Sequence, residues 1–160
     1  MLNIRYATKK DIPTIKRFIL ELADYENLSN LVTAEEDMLE FALFEEKSAN
    51  AVIAEADGVP AGYAVFFYNF STFLCKKGLF IEDIYISPEM RGRGFGKQIF
   101  RHLARIAKET DCGRMEWNCL SWNTPSIRFY ESLGAAMLSD WKIFRMDKTA
   151  MAHLAESDDI

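Results

Sequence analysis

The sequence predicts a single α/β domain built on one mixed sheet, and three observations carry that prediction. Apolar residues switch between strand and helix spacing in the order β-α-α-β-β-β-α-β-α-β-β. The segment 79–120 reads as strand, glycine-rich loop, helix and strand, a crossover that makes its two strands parallel. With 160 residues, 49% of them apolar and 27% charged, the chain suffices for one buried core. No internal repeat, low-complexity stretch or linker interrupts it, so residues 1–160 are expected to form one domain.

Each element has a local reason. Residues 4–6 read as a short first strand. Thr8-x-x-Asp11 has the form of a capping box, after which Ile12, Ile15, Ile19 and Leu22 recur at helical spacing to about Tyr25. A second box, Thr33-x-x-Glu36, is expected to open a helix carrying Met38, Phe41, Ala42 and Phe44. Residues 51–55 and 62–70 flank Asp57-Gly58, a hairpin signal. The β-rich run 79–86 ends at Ser87-Pro88, because proline cannot continue a ladder. Ile99, Leu103 and Ile106 mark a third helix over about 94–110, and 114–120 is the next strand. Thr124-Pro125 suits the cap and first turn of a fourth helix ending at Gly134. Residues 135–137 and 141–147 are the expected last strands, before a short tail helix.

Charge is unevenly placed. The net charge is −5, yet residues 91–108 carry six bases and no acid, leaving −11 on the rest. Residues 21–57 hold eleven acids against the single base Lys47. A whole-surface nucleic-acid binder needs the opposite balance, so that class is disfavoured. One cationic and one anionic segment suit an anionic and a cationic ligand together. Apolar runs such as 61–68 fall far short of the ~20 residues that cross a bilayer. The first residues lack the apolar stretch of a secretory signal, which leads to the expectation of a cytoplasmic protein. Cys75, Cys112 and Cys119 are odd in number and lack metal-like spacing, and no His, Cys, Asp or Glu cluster suggests a metal. With only His102 and His153, and neither G-x-S-x-G nor H-E-x-x-H, serine and zinc hydrolases lack their parts.

The strongest local signal is Arg91-Gly92-Arg93-Gly94-Phe95-Gly96-Lys97, between a strand and a basic helix. Alternate glycines let backbone N–H groups converge without Cβ atoms in the way, and the helix N-terminus adds partial positive charge. Together they suit phosphate oxygens. The spacing is neither that of a P-loop, since Gln98 follows Lys97, nor that of the dinucleotide fingerprint. Arg93, Lys97, Arg101 and Arg105 recur every four residues along one helix face, a stripe that suits either solubility or attraction of an anionic cosubstrate.

Arg91-x-x-Gly94-x-Gly96 after Ser87-Pro88 resembles the acyl-CoA pyrophosphate loop of the GNAT N-acetyltransferase superfamily. The likeness extends to Ile4-Arg5-Tyr6-Ala7-Thr8-x-x-Asp11, to Phe80-Ile81-Glu82-Asp83-Ile84-Tyr85-Ile86, and to Trp122-Asn123-x-Pro125-Ser126-Ile127-x-Phe129-Tyr130-x-x-x-Gly134-Ala135. These segments are similar to the diamine (spermidine/spermine) and thialysine acetyltransferase branch. The resemblance implies a mostly antiparallel mixed sheet with a central parallel βαβ acyl-CoA unit and about four helices. It also implies acetyl-CoA as cosubstrate, a β-bulge in the strand before the loop, and a homodimer.

The implied chemistry explains the residue types. An alkylamine keeps its proton to about pH 10 and must lose it before attacking a thioester. Glu82 can accept that proton, directly or through water, and Tyr130 matches the family's acid for the departing thiolate. By spacing alone, Glu82 also reads as a strand-edge charge and Tyr130 as core beside Ile127 and Leu133. Backbone N–H groups near Ile84, Tyr85 and Ile86 can receive charge on the thioester oxygen. By the same resemblance Arg91, Gly92, Arg93, Gly94, Phe95, Gly96 and Lys97 hold the cosubstrate, with Asn123 and Ser126. A cationic acceptor wants acids: Tyr25 and Glu26, then Glu82 and Asp83, then Asp140 beside Trp141 match the branch's sites. Ser71-Thr72-Phe73 departs from it, with hydroxyls where polyamine enzymes carry an acid, and favours a shorter amine. The expected reaction is acetylation of a primary amine on a small cationic acceptor, a diamine, polyamine or thialysine-like amino acid. A non-catalytic acyl-CoA-binding module and a peptide N-acetyltransferase are the alternatives, and no nucleic-acid or membrane partner is expected.

Overall fold

A computed structural model of the chain describes residues 1–157. It divides into two compact units, Met1–Asn123 and Thr124–Ile160. The first contains one five-stranded sheet in the order β1-β2-β3-β4-β5, made of β1 (Leu2–Tyr6), β2 (Asn50–Ala56), β3 (Val59–Ser71), β4 (Lys76–Ile86) and β5 (Arg114–Trp117). The first four strands pair antiparallel, and β4 pairs with β5 in parallel across the predicted crossover.

Helix α1 (Ile12–Tyr25) covers one face of the sheet, where Ile15 and Phe18 are fully buried with Ala51, Ile53, Tyr63 and Tyr85. Phe18 stacks on Tyr63 with ring centroids 5.5 Å apart. The entry to α1 is fixed by Asp11, whose Oδ2 accepts from the Thr8 N–H at 2.7 Å and the Thr8 hydroxyl at 2.9 Å. Both carboxylate oxygens of Asp11 also accept from the Arg5 guanidinium at 2.8 Å. The crossover helix α3 (Phe95–Glu109) buries Ile99, Phe100, Leu103 and Ile106. Phe95 packs with Ala56, Ala61 and Leu2, so α3 lies against the sheet through residues of β1, β2 and β3. Asp57 and Gly58 turn the β2–β3 hairpin with φ of 52° and 81°, the left-handed pair that such a turn requires.

Three expectations need correction. The helix expected from Thr33 starts later, as α2 (Glu36–Glu40) with Glu35 at its N-cap position, and continues as a π-turn over Phe41–Glu45. Residues 118–120 do not extend β5, which ends at Trp117 because the β4–β5 ladder ends there. Residues 135–137 and 141–147 form no strand: a strand exists only through a partner, and none pairs with them among the described residues. The second unit instead holds α4 (Thr124–Ser132) and the tail helix α5 (Lys148–Glu156), whose N-terminus is capped by Asp147 accepting from the Ala150 N–H at 2.8 Å. Between them Trp141, Ile143 and Phe144 are 75%, 71% and 93% exposed. No helix among the described residues is long and apolar enough to cross a membrane.

Candidate active site

Strand β4 organises the site through a bulge. Val65 faces Asp83 across the β3–β4 ladder and Phe66 faces Ile81, so Glu82 is the extra residue. The bulge reverses the alternation of side chains, putting Ile81 and Asp83 on opposite faces of the sheet. Ile81 stays in the core, Glu82 is exposed, and Asp83 joins Tyr63 and Tyr85 on the face that α1 covers. The ladder to β5 ends at Ile81 opposite Trp117, whereas β4 runs on to Ile86. Ile84, Tyr85 and Ile86 thus lie beside β3 but beyond the end of β5, where the resemblance expects an oxyanion-receiving edge.

The acids gather where α1 ends. The Tyr63 hydroxyl, fully buried, donates to Asp83 Oδ2 at 2.8 Å. Burial raises the pKa of Asp83 above the usual carboxylate value, only partly countered by that hydrogen bond. Burial also raises Glu26, at the C-terminal end of α1, and the charge of Asp83 raises it further. Desolvation, with the field of Asp83 and its hydrogen bond, drives the Tyr63 phenol well above its ordinary value. The Cys119 thiol is raised by burial and by Glu26. Burial makes both carboxylates costly to charge, and the Asp83 charge adds to the cost at Glu26, so a nearby cation would favour their ionised forms.

The glycine loop follows β4 and opens α3. Gly92 and Gly94 adopt φ of 74° and 76°, and a Cβ at either position would meet nothing within 4 Å. Gly94 caps α3 without a side-chain hydrogen bond, so the first turn of this 15-residue helix receives no cap from its own N-cap residue. An open, Cβ-free cradle at a helix N-terminus fits a diphosphate. Arg93 lies with its guanidinium 4.8 Å from the Phe95 ring, and Lys97 is exposed one turn on. Arg91 has a second placement: its Nε donates to the Ile86 carbonyl at 3.0 Å, and its guanidinium lies 5.1 Å from the Tyr25 ring and 5.6 Å from the Tyr85 ring. Burial and a hydrogen bond with Glu21 push the Tyr85 phenol up to about 12.

Tyr25 links the two halves of this unit's site. Its hydroxyl donates to Asn123 Oδ1 at 3.3 Å, and its ring lies 6.0 Å from that of Trp122. Asn123 is buried. The structure therefore brings together Tyr25, Glu26, Asp83, Arg91 and Asn123. Ser126 and Tyr130 belong to the second unit, on α4, where the Tyr130 ring is 5.6 Å from that of Phe129. Asp140, also in that unit, is exposed in a turn beside Ser139. Ser71 ends β3, its oxygen accepting from the Leu74 N–H and from Arg114 at 3.3 and 3.4 Å. It lies six residues from Val65, roughly 20 Å along the strand, so within one copy the Ser71-Thr72 departure does not touch Asp83. Tyr63 was not legible as a functional residue, because it falls in an ordinary apolar alternation. Cys119 gave no signal beyond being a lone thiol. No group of His, Cys, Asp and Glu able to hold a metal occurs among the described residues.

A sheet with one parallel crossover, a bulge in β4 and an open glycine loop at the start of α3 defines an acyltransferase fold. The chain belongs to the acetyltransferase (GNAT) family, whose model matches residues 18–135. It is 35% identical to a thialysine N-epsilon-acetyltransferase of Bos taurus, the match covering 95% of this chain and 96% of that protein. It is 29% identical to an L-ornithine N5-acetyltransferase of Arabidopsis thaliana, over 93% and 86% of the two chains. Its fold matches an integron cassette protein of V. cholerae with a TM-score of 0.81, at 25% identity and 98% coverage of both chains.

Proposed function

We propose that this acetyltransferase moves an acetyl group from acetyl-CoA to a primary amine of a small cationic acceptor, with a thialysine- or ornithine-like amino acid or a short diamine as the preferred class. The carrying observation is the half-buried pair of carboxylates, Asp83 held by Tyr63 and Glu26 at the end of α1, beside the bulge at the exposed Glu82. The named activities of the two curated relatives support an amino-acid acceptor. Since Ser71 and Thr72 lie remote from Asp83 within one copy, the preference for a short amine rests on those relatives.

When bound, the cosubstrate supplies an activated acetyl thioester. Gly92, Gly94, Gly96 and the first N–H groups of α3 take its diphosphate, with Arg93 and Lys97 alongside. Asn123 and Ser126 orient its arm. Asp83 and Glu26 draw in the protonated amine and Tyr25 walls it, which fixes orientation before chemistry. Glu82 accepts the ammonium proton, freeing the lone pair. Backbone N–H groups at Ile84–Ile86 stabilise charge developing on the carbonyl oxygen, and the Tyr130 hydroxyl protonates the departing sulfur. The chain works in this reading as one domain over 1–160, in the cytoplasm. It forms a homodimer, in which the exposed run of Trp141, Ile143 and Phe144 is the surface a second copy covers. Its ligands are small, with no nucleic acid, membrane or metal involved.

The test is thiol release from acetyl-CoA against thialysine, lysine, ornithine, putrescine, spermidine, spermine and a peptide amine. Preference for the short cationic amines supports the assignment. Equal or better turnover of the peptide amine or of a neutral aromatic amine overturns the cationic pocket, and no turnover of any amine favours a non-catalytic acyl-CoA module.

A further inference from the structure

Remote from the acids lies a groove of about 300 Å³ between β1 and α3, lined by residues 2–4 of the strand and by Gln98, Arg101, His102 and Arg105 of the helix. β1 ends the sheet, so no strand among the described residues pairs with its outer edge. The Ala7 N–H bonds the Ala51 carbonyl at 2.9 Å, which sets the phase of the ladder. Arg5 and Asn3, two and four residues earlier, turn their backbone groups toward β2, whereas Leu2 and Ile4 present N–H and C=O outward. Edge strands are usually guarded by an outward charge or a proline. Here the one charged residue, Arg5, spends its guanidinium on Asp11 and Glu55.

The helical wall is cationic, with Arg101 and Arg105 exposed. Neither Arg101 nor Arg105 has an ion pair among the described residues. The Nε2 atom of His102 is buried with no hydrogen-bond partner. The acids nearby are Glu109, whose field reaches His102 and Tyr6, and Glu55, which accepts from Asn3 and Arg5. Arg101 and Arg105 are one turn apart, a rise of about 6 Å. Alternate residues of an extended chain lie about 6.8 Å apart on one face, a near match.

We propose that an extended acidic segment of a partner protein docks in this groove by adding a strand to the outer edge of β1, placing carboxylates of an acid-x-acid pattern on Arg101 and Arg105. The strand edge selects a peptide over a small anion or a nucleic acid. The outward carbonyls of Leu2 and Ile4 repel an anion, but they accept hydrogen bonds from peptide N–H groups. Specificity then comes from the two guanidiniums, which take carboxylates.

The probe is a fluorescein-labelled peptide, Gly-Val-Asp-Val-Glu-Val-Gly, titrated by anisotropy into the full chain saturated with CoA. Saturable binding is expected. It should weaken about tenfold or more when Asp and Glu become Asn and Gln, and likewise in the double variant Arg101→Gln, Arg105→Gln. N-methylation of alternate peptide amides should abolish it in the register that blocks pairing with β1, a result that needs no change in the protein. Amide shifts should map to residues 2–4 and 98–105. Equal binding of the neutral or methylated peptides overturns the proposal. So does displacement by inorganic phosphate at constant ionic strength, or loss of binding when CoA is added, which would put the peptide on the glycine loop.

Discussion

Tyr63 reaches across the β3–β4 ladder to Asp83, its hydroxyl donating at 2.8 Å to a carboxylate two positions along from its own cross-strand neighbour Tyr85. The diagonal contact exists because the bulge at Glu82 shifts Asp83 onto the face that Tyr63 occupies. Tyr63 is fully buried and wedged against Phe18, so it is a fixed donor that keeps one acid of the site oriented.

Replacing Tyr63 by Phe keeps the ring packing and removes that donor. The proton affinity of Asp83 then rises further, since the hydrogen bond was what lowered it. The expected outcome is an acceptor KM raised about fivefold, corresponding to a lost hydrogen bond of ~1 kcal/mol. The acid limb of the kcat/KM profile should move to higher pH while the KM for acetyl-CoA stays put. A profile that only scales down, with its midpoint unmoved, means that Tyr63 is purely structural.

Asp83 should oppose stability at neutral pH. Its pKa in the folded protein is raised, so its contribution to stability is fully present below the unfolded carboxylate value near 4 and is lost as pH rises through the folded value. Asp83→Asn removes the charge but keeps an oxygen for Tyr63. Urea unfolding should find this variant more stable than the parent at pH 8 and nearly equal to it at pH 3.5, with acceptor binding impaired. A loss of stability at pH 8 contradicts the account of a charge buried for function.

Asp11 runs the other way. Arg5 and Thr8 hold its pKa to about 2, so its stabilisation is present above the unfolded value near 4 and disappears as pH falls toward 2. Asp11→Asn should cost about 1–2 kcal/mol at pH 7, discounted because Arg5 is partly exposed, and little at pH 2. Denaturant melts at the two pH values read this directly. A cost independent of pH would assign the residue to capping alone.

Much of this layout was legible because its local chemistry is self-contained. Asp57-Gly58 announces a turn that only positive φ can make, and the apolar faces of α1 and α3 follow from spacing alone. The backbone of the glycine loop was legible for the same reason, since Gly92 and Gly94 take the positive φ that glycine allows at the start of α3. The end of α2 was not: Thr33 looks like a cap, but the chain turns in only at Glu35 and then relaxes into a π-turn. Residues 135–147 have the alternation of strands, yet pairing is a property of the partner and no local pattern records it. Among candidate site residues, Glu26 and Asp83 are named by the match of Tyr25-Glu26 and Glu82-Asp83 to the family branch, whereas the role of Tyr63 depends on a one-residue bulge that flips a neighbour.

Gly94 should tolerate alanine poorly for two separable reasons. Its φ of 76° strains any Cβ by about 1 kcal/mol, though no protein atom stands in the way. If the open space belongs to a diphosphate, Gly94→Ala should weaken CoA at least about tenfold in calorimetry, beyond the modest loss in thermal stability. A folded variant with parental affinity removes the loop from the site.

Tyr130 is the sharpest remaining test, because the acid for the leaving thiolate acts only in the transition state. Tyr130 lies half-buried on α4, and its carbonyl accepts the N–H groups of Leu133 and Ala135 at 3.0 and 3.2 Å as the helix ends. Those backbone bonds and the ring contact with Phe129 survive in Tyr130→Phe, so the helix should persist and only the hydroxyl is lost. A proton donor for departing sulfur contributes little to the bound ground state, so the Kd for acetyl-CoA should hold while kcat falls by about 10²-fold. A leaving group that needs less help should shrink the defect, so an acyl donor with a more acidic thiol should restore part of kcat in the variant and hardly alter the parent. If kcat is unchanged where chemistry limits turnover, or if the more acidic thiol restores nothing, the proton comes from elsewhere. The Glu82→Gln variant separates the two ends of the reaction: its defect should follow the pKa of the attacking amine and ignore the leaving thiol.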